Sequence, residues 1–146
     1  MQEPVIERFI LVIDHNAAHR QTIQRVLQEQ PGKYQFAAVE NGLQAADFLH
    51  RQGEYSDAPR PDLILLDLDL PGKDGRALLT EIKADAQLKR IPTIVFTLSD
   101  DTADIFRSYA DQGNCYVVKA ADLEQLTHIV RRIEDFWLEI VTLPLE

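Results

Sequence analysis

The sequence predicts an α/β protein, a (βα)5 doubly wound five-stranded parallel sheet. Three observations carry this. Five short apolar runs recur along the 146 residues. Four of them lack polar alternation, as do strands covered on both faces. Between the runs, apolar residues return at steps of three and four, the period of a helix with one buried stripe.

The first run, residues 9–13 (FILVI), leads into Asp14. Ile23, Val26 and Leu27 mark the first helix, with Asn16 or His15 near its N-terminus. The run 34–39 (YQFAAV) is less apolar and reads as a strand nearer an edge. Leu43, Ala46 and Leu49 mark the second helix, capped by Asn41 and closed near Gly53. The third run is 63–66 (LILL), followed by a helix marked by Leu78, Leu79 and Ile82. The fourth is 91–96 (IPTIVF); its helix carries Ile105, Phe106 and Tyr109, with Ser99 or Asp100 as N-cap. The fifth is 115–118 (CYVV), and the pattern after it is the longest, from Leu123 to Val141. The alternation implies right-handed crossovers with helices on both faces. No linker or repeat interrupts it, so residues 1–146 read as one domain with an extended C-terminal helix and tail, about 121–146.

With 45% hydrophobic residues the chain can bury a real core. Fifteen basic against 24 acidic residues leave a net charge of -9. Such a surface repels phosphate backbones, so nucleic acid is not expected as a partner. The apolar runs are too short to span a bilayer, and MQEPVIER lacks the start of a signal peptide. A single cysteine, Cys115, fits a reducing cytoplasm and is expected as a small buried core residue.

In open parallel sheets, ligands sit beyond the carboxyl ends of the strands. The sequence places Asp14 and His15, Asp67, Thr97 and Lys119 there. Singly, each has a plain structural role as a cap or a surface group. Together, two carboxylates, a hydroxyl and an ammonium suit phosphoryl transfer to a carboxylate. Asp14 and Asp67 with a backbone carbonyl can hold Mg2+. Asp67 can be the nucleophile. Thr97 and Lys119 can bind the attached phosphoryl oxygens. His15 and His19, four residues apart, could instead join the carboxylates around a transition metal. Rim or surface histidines without a metal are the favoured expectation. His50 and His128 read as ordinary helix residues. No Gly-rich loop follows the first strand, which argues against a flavin- or nucleotide-binding enzyme.

The pieces LVIDHN, PDLILLDLDLPGKDG, IPTIVFTLSD and NCYVVK, in that order, resemble response-regulator receiver domains. EIKADAQLKRIP, RSYADQGNCYVVK and IEDFWLEIVTLP resemble the single-domain regulators of cyanobacterial phytochrome kinases. The resemblance implies the receiver (flavodoxin-like) strand order 2-1-3-4-5. It also implies a chain that is not an enzyme but accepts a phosphoryl group on Asp67 from a sensor histidine kinase of phytochrome type. Asp14 would serve the metal, Asp69 would offer it a backbone carbonyl, and Thr97 and Tyr116 would form the switch. Output would pass through protein contacts, with a homodimer built on Phe136, Trp137, Ile140 and Val141. Several positions depart from the family: Asp69 stands where a neutral polar residue is often found, Ala120 where a proline is common, and His15 where a second carboxylate usually touches the metal. A neutral imidazole is a poor Mg2+ ligand, so metal binding should be weak. The alternative implied by His15 is an atypical receiver acting as a phosphorylation-independent interaction module.

Overall fold

The computed structural model describes residues 7–30 and 32–144. Strands β1 (Arg8–Ile13), β2 (Tyr34–Val39), β3 (Leu63–Leu66), β4 (Thr93–Thr97) and β5 (Cys115–Val118) alternate with helices. The helices are α1 (Ala17–Gln28), α2 (Gly42–His50), α3 (Gly75–Ala84), α4 (Thr102–Ala110) and α5 (Leu123–Ile133). All strand pairs are parallel and the sheet order is β2-β1-β3-β4-β5. The less apolar second run is indeed an edge strand.

Strand alternation divides the core into two layers. Leu11, Ile13, Ile64, Leu66 and Val95 face one way, towards Phe48 and Leu49 of α2 and Leu78, Leu79 and Ile82 of α3. Ile10, Val12, Leu63, Leu65, Ile94 and Phe96 face the other, towards Ile23, Val26 and Leu27 of α1 and Leu126, Val130 and Ile133 of α5. The two faces explain the uninterrupted apolar runs: each side chain is buried whichever way it points.

The register sets the strand ends level with one another. Ile13 pairs with Leu66 and Leu66 with Val95. Asp14 and Asp67 therefore leave adjacent strands side by side. Thr97 pairs with Val118, which puts Lys119 one residue beyond the end of β5. The four groups expected to converge do so at one sheet edge.

Side-chain caps start most helices. Asn16 accepts from the His19 amide and Asn41 from the Gln44 amide. The cap of α4 is Asp101, which accepts from Ala103, not Ser99 or Asp100. Ser99 is instead drawn to Asp104, its hydroxyl donating at 2.7 Å. Cys115 is half-buried, since its strand forms the second sheet edge.

The last helix differs from the single regular pattern expected. It is α-helical only to Ile133 and continues as a π-helix over Glu134–Ile140, ending with the Val141 amide donating to the Phe136 carbonyl at 2.8 Å. The wider turn changes which residues face inward. Trp137 and Leu138 pack on the α1–α5 layer, whereas Phe136 is 52% exposed. Glu134 is turned inward, and its Oε2 lacks a hydrogen-bond partner.

Gly75 opens α3 immediately behind the end of β3. A Cβ there would lie 2.3 Å from the Asp67 carbonyl oxygen and 2.6 Å from the Leu68 Cα. Both obstacles are backbone, so neither can rotate away. Gly75→Ala should lower stability by about 1–3 kcal/mol, measured by urea denaturation, and disturb the amide shifts of Asp67 and Leu68. Gly32→Ala, with φ +79° but nothing within 4 Å of the added carbon, should cost about 1 kcal/mol and leave those shifts in place.

Candidate functional site

Lys119 lies at the centre of the carboxyl-edge pocket. Its side chain is only 1% exposed. The ammonium donates to Asp14 Oδ2 and, at 2.9 Å, to Asp67 Oδ2. The third neighbour is His19 Nδ1 at 3.1 Å. An ammonium has only donors, so Nδ1 must accept and the ring carries its proton on Nε2. Burial, reinforced by the Lys119 charge, pushes the His19 imidazole below its ordinary range and favours this neutral form. The Phe96 ring closes the apolar side, 5.7 Å from the ammonium.

Each carboxylate is fully engaged. Asp67 Oδ1 accepts from the Asp69 amide at 3.0 Å and from the Thr97 hydroxyl at 2.8 Å, while Oδ2 accepts from Lys119. Asp14 Oδ1 accepts from the Asn16 amide at 2.8 Å. Burial holds the Asp14 carboxyl above its ordinary range, against the opposing pull of Lys119.

The structure thus brings Asp14, Asp67, Thr97 and Lys119 together. His15 is exposed, and its carbonyl oxygen accepts from Arg20 at 2.9 Å. Asp69 has a largely exposed side chain, and its recorded contact with Asp67 is through its amide. Tyr116 is half-buried, with its hydroxyl donating to the Ser99 carbonyl at 2.8 Å. In the tail, Phe136 is exposed and Trp137 and Val141 are half-buried, while the Ile140 side chain lies outside the described residues.

One expectation requires correction. Phosphoryl transfer to Asp67 with Mg2+ needs a set of hard anionic ligands open to the metal. Here a lysine ammonium occupies the space between the two carboxylates, and the imidazole that reaches it belongs to His19. No group of three or more His, Cys, Asp or Glu side chains arranged to hold a metal ion is found among the described residues. The side chains present do not fit the expected metal, and the site matches the compromised-pocket alternative better than the phosphoacceptor reading.

Sequence reasoning missed two features. The sequence reads His15 and His19 alike, as rim or surface histidines or as a metal pair, because the four-residue spacing hides that one is exposed and the other is buried against Lys119. Arg76 gave no signal at all. Its guanidinium makes two 2.6 Å bonds to Asp104, reaches Asp74 at 3.1 Å and lies 3.5 Å from Asp69. It ties the loop after β3 to the first turn of α4.

The family described as response regulator receiver domain matches residues 10–131. Response regulator Rcp1 of Synechocystis is 45% identical over 137 residues, covering 94% of this chain and 93% of that protein. The solved Mn(2+)-bound form of Rcp1 superposes with a TM-score of 0.91, covering 94% of this chain and 99% of that one. The phosphorylated cyanobacterial phytochrome response regulator RcpA is 46% identical with a TM-score of 0.93, covering 96% of this chain and all of that one.

Hydrogen bonds from Arg76 pull the Asp104 carboxyl down to about 2. A depressed carboxyl stabilises the fold above its unfolded value and loses that contribution as pH falls through the folded one. Asp104→Asn should therefore cost about 1 kcal/mol at pH 6. Urea melts should show that gap closing as pH drops from about 4 towards 2, where wild type has lost the same charge.

Proposed function

The chain belongs to the response regulator receiver domains, and from that membership we propose an atypical receiver that works as a phosphorylation-independent protein-interaction module. The observation that carries this reading is the ammonium of Lys119, held by Asp14, Asp67 and His19. An internal cation already bridges the carboxylates and offsets part of their charge. An incoming divalent ion would have to displace it, and would find His15 where the family has a second carboxylate.

The likeness to a phytochrome response regulator supports a sensor histidine kinase of phytochrome type as the partner. Membership of a receiver family supports a signalling role rather than that of a classical enzyme. The net charge of -9 favours a protein partner over nucleic acid. Among the described residues, no helix is long and apolar enough to cross a membrane. We place the protein in the cytoplasm as a single receiver unit whose last helix and tail, about 121–146, supply a homodimer contact. Exposed Phe136, T-stacked 5.8 Å from Trp137, supports that surface. A relative is known in a Mn(2+)-bound form; in this chain Mg2+ or Mn2+ should bind weakly.

Affinity for the phosphotransfer domain of a phytochrome-type kinase tests the reading. Wild type and Asp67→Asn should bind within about twofold of each other, and EDTA should change neither affinity nor Tm. Stoichiometric, Asp67-dependent phosphoryl labelling that shifts affinity by roughly tenfold would overturn it. A second measurement isolates the metal site. His15→Asp should tighten Mn2+ binding by roughly tenfold, read from free Mn2+ by electron paramagnetic resonance. An unchanged affinity would refute the account of the missing carboxylate.

A further inference from the structure

A closed ring of hydrogen bonds runs through the carboxylate pocket. The Asn16 amide donates to Asp14 Oδ1 at 2.8 Å, and the His19 amide donates to the Asn16 side chain at 3.1 Å. The Lys119 ammonium donates to His19 Nδ1 at 3.1 Å and to Asp14 Oδ2, which closes the ring. The N-cap of α1 is therefore part of the pocket, because the bond that starts the helix also fixes the backbone of His19. Arg20 pins the same loop, donating to the Asp14 carbonyl at 2.7 Å and to the His15 carbonyl at 2.9 Å.

An ammonium has three protons to place. Asp14, Asp67 and His19 accept one each. The two carboxylates hold the ammonium by charge. The imidazole, kept neutral by burial and by Lys119, adds no attraction of that kind. What it adds is a direction. With Nδ1 in place every proton is taken, and moving the ammonium aside breaks a fully satisfied set. His19 is 4% exposed and the Lys119 side chain 1%, so a proton that loses Nδ1 is left buried without an acceptor, which is costly. An imidazole that only filled space beside Lys119 would need no lone pair aimed at the ammonium, and a leucine would serve as well.

We propose that His19 is a positioning residue whose Nδ1 locks the Lys119 ammonium between Asp14 and Asp67 and so keeps divalent cations away from the two carboxylates. The inference rests on the closed-pocket reading given above and assigns that closure to a second residue besides His15. The two act differently. His15 denies an incoming ion a ligand. His19 stabilises the internal cation that such an ion must displace. His19 acts only through Lys119, so its effect vanishes when the ammonium is absent.

Mn2+ is the probe, with affinity read from free Mn2+ by electron paramagnetic resonance on the full chain. His19→Leu and His19→Met, which keep apolar bulk and remove the acceptor, should each tighten Mn2+ binding by roughly tenfold. His19→Asn, whose side-chain oxygen falls near the place of Nδ1, should stay within about twofold of wild type. In a Lys119→Met background, His19→Leu should change nothing further. The ammonium protons of Lys119 supply a second readout. Their NMR signal should persist in wild type and His19→Asn, where exchange with water is slow, and disappear in His19→Leu. Unchanged Mn2+ affinity in both apolar variants, or an equal gain without Lys119, would overturn the role of His19 and leave the closed pocket standing. Tight Mn2+ binding by wild type would overturn both.

Discussion

The buried ammonium of Lys119 is the constraint on which the carboxyl edge depends. Taking one charge out of water costs several kcal/mol, and two carboxylates on neighbouring strands cost more. They are tolerable only together. Lys119 reaches them because β5 ends one residue before it, in register with Thr97. His19 completes the shell by accepting the remaining direction of the ammonium. Remove the cation and two buried carboxylates face each other. Remove one carboxylate and the cation loses half its compensation. The pocket is internally hydrogen-bonded before any ligand arrives, with one ammonium offsetting part of the charge of two carboxylates.

That unit is wired to the surface by hydrogen bonds. Thr97 leaves Asp67 along β4, and two residues on, Ser99 donates to Asp104 while its carbonyl accepts from Tyr116. Arg76 takes Asp104 from the other side and returns the chain of contacts to Asp74 and Asp69, beside Asp67. The loops after β3 and β4 are thereby held in one arrangement without an added phosphoryl group. Phe106 and Tyr109, both well exposed on α4, sit just beyond this clasp. A partner that reads α4 would meet a surface already set by internal bonds.

The fold was open to sequence reasoning because burial on two faces leaves a local trace. LILL at 63–66 and FILVI at 9–13 have no polar member, and only a strand between two helix layers demands that. The convergence of Asp14, Asp67, Thr97 and Lys119 followed from topology alone. What escaped depends on side-chain direction across distant segments. His15 and His19 look equivalent in sequence, yet one faces solvent and the other an ammonium 100 residues away. The apolar steps of 123–141 fit an ordinary helix, and nothing in them announces the π turn that carries Glu134 inward. Arg76 resembles any exposed helix arginine until α4 is placed beside it.

The two edges of the sheet now contrast in a way that composition conceals. At the carboxyl edge two carboxylates share one lysine, which offsets part of their negative charge. At the opposite edge, Arg51 and Arg90 line a concavity and form no ion pair among the described residues. Desolvated or enclosed charge attracts its complement far more strongly than charge spread over a wet surface. At the carboxyl edge both carboxylates are already bonded to Lys119, so a ligand must displace that ammonium to reach them.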